Sequence, residues 1–173
     1  MQYHIEKATK HPKPNIIEFF NQLGNGENGF SGTFFFKGEM NLDAQLSRIA
    51  DMGEGINIDP GLVPMTTFWY LDANDNIVGM SRLRHYLSET LIKKGGHIGY
   101  YISPKYRGLG LGRDLLRLTL SEAKIIGIKR ALITTGSNNK ISQHIIERNN
   151  GKLEDERIDE TGNFYKRYWI NII

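Results

Sequence analysis

No cysteine occurs among the 173 residues. Disulfide bonding and thiolate catalysis are therefore excluded, and an intracellular, cytoplasmic location is expected. No uninterrupted apolar run reaches the ~18 residues of a membrane span. The first residues, Met1, Gln2, Tyr3, His4, Ile5 and Glu6, lack the apolar stretch of a secretory signal, so none is expected. There is no low-complexity tract and no repeat at a solenoid period. Neither sign of charge dominates: 22 Lys and Arg against 19 Asp and Glu give a formal net charge of +3. So small a balance does not select nucleic acid over a small anion or over plain solubility. No basic face with interleaved aromatics is present, so neither nucleic acid nor membrane is an expected partner.

What is there fits an ordinary globular domain. Hydrophobic residues make up 39% and charged residues 24%. The length suffices for one domain, 1–173, with a sizeable core. Loose alternation over 2–9 reads as a strand, and Pro12 and Pro14 punctuate a turn. Residues 15–23 and 41–52 have helical spacing, with Asn41 a plausible cap. The Gly- and Asn-rich stretch 24–32 reads as loop. Residues 66–72 and 77–84 form a hairpin around a turn of Asp and Asn, and 85–94 reads as a short helix or excursion. A strand at 97–103 stops at Pro104. The longest helical pattern, 111–126, ends at Gly127. A buried-type strand at 129–135 leads to a helix capped by Ser137 or Asn138 and ending near Arg148. Two strands, 152–158 and 163–170, close the chain. The order predicts a mixed α/β sheet with a right-handed crossover in the middle.

The turn between the strand at 97–103 and the helix at 111–126 carries the most chemistry. Gly108, Gly110 and Gly112 alternate there, flanked by Arg107 and Arg113. Glycines let a backbone approach an anion closely. A helix start adds free N–H groups and partial positive charge. The dinucleotide fingerprint requires G-x-G-x-x-G and an acidic residue about 20 positions on; this spacing is G-x-G-x-G and the next strand ends in Thr134 and Thr135. No P-loop pattern exists either. A plain tight turn with packing glycines is the structural alternative.

Ile102, Ser103, Pro104, Lys105, Tyr106, Arg107, Gly108, Leu109, Gly110, Leu111 and Gly112 resemble the acetyl-CoA signature of the GNAT superfamily of N-acetyltransferases. That signature is Gln or Arg, two residues, Gly, one residue, then Gly or Ala, met by Arg107, Gly110 and Gly112. Asn139, Ser142 and Gly151 resemble the superfamily's second element, an Asn followed three positions on by a small residue in a helix closing at Gly. The likeness covers roughly 66–170. Gly95, Gly96, His97, Ile98, Gly99 and Tyr100, with the closing Lys166, Arg167, Tyr168, Trp169 and Ile170, resemble one group of bacterial acetyltransferases.

The resemblance implies a mostly antiparallel sheet flanked by helices, with two parallel central strands splayed apart and the pantetheine arm of acetyl-CoA in the gap. It implies that backbone groups from Tyr100 to Ile102 pair with that arm, with Tyr101 and Ile102 as cofactor-binding residues. It implies that Arg107, Gly108, Leu109, Gly110, Leu111, Gly112 and Arg113 hold the pyrophosphate, and that Asn139 and Ser142 approach the cofactor. The acceptor is then a small-molecule or peptide amine, attacked directly in a ternary complex, and the family often forms homodimers. The family's usual tyrosine acid falls at Ile145 or Ile146, so it is absent. Ser142 is the nearest replacement and His97 the candidate base; a hydroxyl bonded within its own helix and a core imidazole are the plain alternatives. Glu39, Asp43 and Glu54 fall in the expected substrate wall, with Tyr165 and Tyr168 at the acceptor side. Two further readings stand beside the enzyme: a catalytically idle acetyl-CoA sensor, and a nucleic-acid binder suggested only by the basic balance.

Overall fold

The computed structural model describes residues 2–173. Its elements are β1 (His4–Lys7), α1 (Ile16–Leu23), β2 (Gly26–Glu27), β3 (Phe30–Ser31), α2 (Leu42–Glu54), β4 (Met65–Leu71), β5 (Ile77–Arg84), α3 (Glu89–Lys93), β6 (Ile98–Ile102), α4 (Leu111–Ile125), β7 (Arg130–Gly136), α5 (Lys140–Arg148), β8 (Lys152–Ile158) and β9 (Phe164–Asn171). A single 3₁₀ turn, Pro104–Tyr106, joins β6 to the glycine loop.

Local chemistry sets the boundaries. The Asn41 side chain accepts from the Ala44 N–H and starts α2, and left-handed Gly55 ends it. Asp72 accepts from the N–H groups of Asn74 and Asn76, which folds the β4–β5 turn. Asp159 does the same with Thr161 and Asn163 between β8 and β9. Two details differ from the sequence reading, and a third, the short helix expected within 85–94, is sharpened. The glycine-rich stretch 24–32 holds the two-stranded hairpin β2–β3, too short to show period-2 alternation. The excursion after β5 contains a one-turn helix capped by Ser88. The cap of α5 is Asn139, one and two places beyond the expected residues.

The strands form two main sheets, ordered β1-β4-β5-β6 and β7-β9-β8, and every ladder is antiparallel. Helices α1 and α2 cover one face of the first sheet. Their core holds Phe19, Phe20, Leu46, Trp69, Met80 and Tyr101. Phe19 meets Trp69 and Tyr101 edge-on, at 6.3 and 5.8 Å between ring centroids. On the other face α4 and α5 bury Phe68, Leu83, Ile98, Leu116, Ile133, Ile146 and Tyr168, a cluster that spans both sheets. A buried Ser81–Thr119 hydroxyl pair, 2.7 Å apart, fixes α4 over β5.

The crossover β6–α4–β7 brings the edges of the two sheets together, yet no ladder joins β6 to β7. They touch at one end, through a bridge of Gly96 to Ile133 and through His97. The His97 N–H donates to the Leu132 carbonyl (2.7 Å), and the His97 Nδ1 accepts from the Leu132 N–H (3.0 Å). Beyond this clip each strand keeps a free edge. The two strands are thus splayed apart beyond the clip, whose bridge is antiparallel. No helix among the described residues is long and apolar enough to cross a membrane.

Candidate active site

The glycine loop is an open helix start. Gly108 and Gly110 have φ of 79° and 77°, and no atom lies within 4 Å of where their side chains would stand. Gly110 is the N-cap of α4 and supplies no side-chain cap. Among the described residues the backbone N–H groups of Gly108, Leu109, Gly110, Leu111 and Gly112 find no acceptor. Gly112 serves packing as well. A Cβ there would stand 2.8 Å from Ile145 Cδ1, so its absence lets α4 and α5 pack closely. Leu109 is exposed and Leu111 anchors the helix start in the core. Arg107 turns away from the loop. Its Nε donates to the Ile102 carbonyl at 2.9 Å, and its guanidinium pairs with Glu27 on the β2–β3 hairpin. This brace was invisible in the sequence, because Glu27 is 80 residues distant.

The register of β6 decides which of its groups face the gap. Arg84 N–H donates to His97 carbonyl and Ser103 N–H to Val78 carbonyl. With β5 and β6 paired without a bulge, residues 99, 101 and 103 turn their backbone toward β5, as does the carbonyl of His97. Ile98, Tyr100 and Ile102 therefore turn theirs to the free edge. This corrects the expectation for Tyr101, whose backbone belongs to the ladder and whose ring is buried under α1. Ile102 turns its backbone to the gap, and its carbonyl is already held by Arg107.

Tyr100 also supplies what the helix lacks. Its hydroxyl lies 2.8 Å from Ser142 Oγ, in the first turn of α5. Burial pushes this phenol up to about 12, so it is a neutral donor at ordinary pH. Ile146 is buried in the core and Ile145 packs on Gly112, which leaves no place for a helix tyrosine. Asn139 caps α5: its Oδ1 accepts from Ser142 N–H at 3.1 Å. The hydroxyls of Thr135 and Ser137, at the end of β7, are buried with no hydrogen-bond partner. Such orphans ask for a ligand or water.

His97 does not join this group. Its Nδ1 is occupied by Leu132 N–H, and burial, with help from Arg84, depresses it to about 4. The imidazole is a neutral clip at the closed end of the gap, and the role of base falls away. The two closing tyrosines are also structural: Tyr165 donates to the Lys93 carbonyl and Tyr168 to Glu147. Glu54 is paired with Lys7, which holds it below the usual carboxylate range. Glu39 and Asp43 are exposed. Arg113 sits in the first turn of α4, its backbone carbonyl held by Asn149. Among the described residues no group of His, Asp and Glu could hold a metal ion.

A strand with a free edge, running into a glycine loop and an uncapped helix start, defines an α/β protein built to hold an extended, anionic ligand. The acetyltransferase (GNAT) family profile matches residues 45–151, and the chain belongs to that family. It is thereby an acyltransferase. Solved structures share the fold at low identity. An N-acetyltransferase from Staphylococcus aureus Mu50 aligns with TM-score 0.69 and 14% identity, over 100% of both chains. The yncA protein of Salmonella typhimurium, whose structure carries its cofactor acetyl-CoA, gives 0.67 and 14%, over 99% of this chain and 94% of its own. Mutant forms of the spermidine/spermine N-acetyltransferase SpeG from Vibrio cholerae give 0.66 and 16%, over 98% and 95%. No curated protein matches the chain by sequence.

Proposed function

We propose that the chain transfers the acetyl group of acetyl-CoA to a primary amine by direct attack in a ternary complex. The observation that carries this is the continuity of the free β6 edge with the uncapped N-terminus of α4. The five unbonded N–H groups from Gly108 to Gly112 suit a pyrophosphate, reinforced by the dipole of α4. The edge groups of Tyr100 and Ile102 suit the amides of a pantetheine arm, which would lie as a further strand. The orphan hydroxyls of Thr135 and Ser137 offer polar contacts from the opposite strand. Arg113 adds charge at the helix start.

Acetyl-CoA supplies an activated thioester. The Tyr100 N–H, in the middle of the free edge, is a donor available to an oxygen that gains charge. The Tyr100 hydroxyl, bonded to Ser142 Oγ, supplies the proton needed by the departing thiolate, in place of a helix tyrosine. The amine enters neutral, the one proton it sheds on becoming an amide goes to solvent, and the Tyr100 phenolate regains its proton from solvent. A cytoplasmic setting goes with this cosubstrate.

One observation favours the idle sensor: both helix positions where the family carries its acid are isoleucine, Ile145 and Ile146. A single pair of measurements separates the readings. Calorimetry with acetyl-CoA reports binding, and thiol release in the presence of an amine panel reports transfer. Binding with amine-dependent release supports the enzyme; binding without release for any amine supports the sensor; no binding overturns both.

A further inference from the structure

Two arginines on β5, Arg82 and Arg84, stand apart from the other buried guanidinium of the molecule. Arg167 is almost fully buried and is answered by Asp155 and Glu154. Arg82 and Arg84 are partly buried, lie two residues apart on the same strand face, and have no carboxylate within ion-pair distance. Their partners are neutral carbonyls and one hydroxyl. Arg82 Nη1 donates to Ser31 carbonyl (2.9 Å) and Ser31 Oγ (2.7 Å), and Nη2 reaches Gly32 carbonyl at 3.4 Å. Arg84 Nη1 donates to the carbonyls of Gly96 (3.0 Å) and Gly95 (3.4 Å). A guanidinium carries five N–H donors. Neither Nε is used, nor is Arg84 Nη2, and none of these nitrogens is sealed from solvent. Burial and the neighbouring Arg84 push Arg82 down to about 10, and burial lowers Arg84 as well. Both remain cations at neutral pH. Two desolvated like charges side by side without a counter-charge are costly, and such arrangements are kept where an anion completes them.

Their position tells which anion. Arg82 pairs across the ladder with Gly99, the residue just before Tyr100. Its guanidinium lies 4.5 Å from the Phe30 ring centroid, and Phe30 in turn stacks on Tyr101. Strands are about 4.8 Å apart, so the backbone of Arg82 lies roughly one strand spacing from the free edge at Tyr100, while Arg84 stands two residues further along, toward the clip at Gly96. An acceptor whose carboxylate meets these cations presents its amine at that edge only if the two groups lie close together, as in an amino acid. A polyamine, cationic along its length, would meet repulsion here.

We infer that Arg82 and Arg84 bind a carboxylate of the acceptor, and that the acceptor is an amino acid bearing amine and carboxylate close together. This rests on the acetyltransferase reading above. The test compares each free amino acid with its own carboxamide, and both with spermidine and spermine, by acetyl-CoA-dependent thiol release. The acids are expected to exceed their amides at least ~10-fold in kcat/KM for accepted acceptors. In Arg82→Gln and Arg84→Gln the ratio falls toward one, in Arg82→Lys part of it survives, and the KM for acetyl-CoA stays unchanged in all three. Amides equal to acids, or polyamines preferred, overturn the inference while leaving the transferase intact. Should no amine in any series be acetylated, calorimetric titration with N-acetyl amino acids and their amides decides. Acid-selective binding weakened ~10-fold by Arg82→Gln upholds the carboxylate site; no binding of any acid overturns it.

Discussion

The molecule makes the turn from strand to helix twice around the same gap, and it finishes the two turns differently. After β7 the chain closes α5 on itself. Asn139 accepts from Ser142 N–H, and the buried Gln143 side chain donates to the carbonyls of Gly136 and Ser137. After β6 the chain reaches α4 with glycine at the cap and five N–H groups unspent. Every helix start offers the same donors and the same dipole. What makes one a ligand site is that the sequence withholds the side chain that would satisfy it. Asn139, which resembles a cofactor-contacting residue in sequence, is in the structure first a cap, and its hold on α5 keeps Ser142 against Tyr100.

The largest expected effect comes from filling the open turn. Gly110→Asp places a carboxylate in the cradle, and Asp tolerates the left-handed backbone better than most residues. The KM for acetyl-CoA should rise about 100-fold, because the anion now competes with the pyrophosphate for the dipole. Thermal stability should hold or rise slightly, since a negative charge suits a helix start. An unchanged KM would mean that the open turn is not the anion site.

Next comes the residue pair that the closed turn positions. Tyr100→Phe and Ser142→Ala should each lower kcat about 30-fold with little change in the KM for acetyl-CoA. The double variant should be no worse than the poorer single, since the two act as one relay. Full turnover in Ser142→Ala removes that residue from the chemistry.

A somewhat smaller effect concerns the clip from which both turns diverge. His97 titrates near its ordinary value of 6.5 in the unfolded chain and at about 4 in the fold. Between these values the unfolded state binds the extra proton, so stability is fully present above the unfolded value and is lost as pH falls toward 4. Denaturant titrations should show a loss of about 2 kcal/mol from pH 7 to pH 5 assignable to this residue. In His97→Gln, which keeps an acceptor for Leu132 N–H, that share of the pH dependence disappears. A slope that survives the substitution points to other groups.

The smallest effect tests the closed turn itself. Asn139→Ala should cost about 1 kcal/mol of stability as a lost cap, read from the denaturation midpoint, with the KM for acetyl-CoA nearly native. A tenfold rise in KM would erase the contrast, by showing that Asn139 serves the ligand as well as the helix.

The sequence displayed the open turn plainly, because its signal is local: alternating glycines between a strand pattern and the longest helical pattern. The order of elements was legible for the same reason, as was the absence of Rossmann and P-loop spacing. The Tyr100 backbone falls in the expected stretch, but which of its residues face the gap depends on parity across β5, fixed by hydrogen bonds at Arg84 and Ser103, and its hydroxyl contact with Ser142 lies 42 residues away. His97 was misjudged because a histidine at a strand start reads alike whether its ring faces a substrate or a neighbouring backbone N–H. Glu27 and Arg82 escaped because the hairpin that engages both is two residues per strand, below the length at which alternation shows.

The missing ladder between β6 and β7 has a consequence for the life of the chain in a cell. On the proposed reading, a sheet whose central rungs are furnished by its substrate is not finished by its own sequence. Ligand that binds only the folded form adds RT ln(1 + [L]/Kd) to stability, about 2.7 kcal/mol at a hundredfold excess over Kd. On that reading acetyl-CoA in the gap would seal the two sheets into one; without it they are joined by the Gly96–Ile133 bridge, the His97 clip and the core beneath.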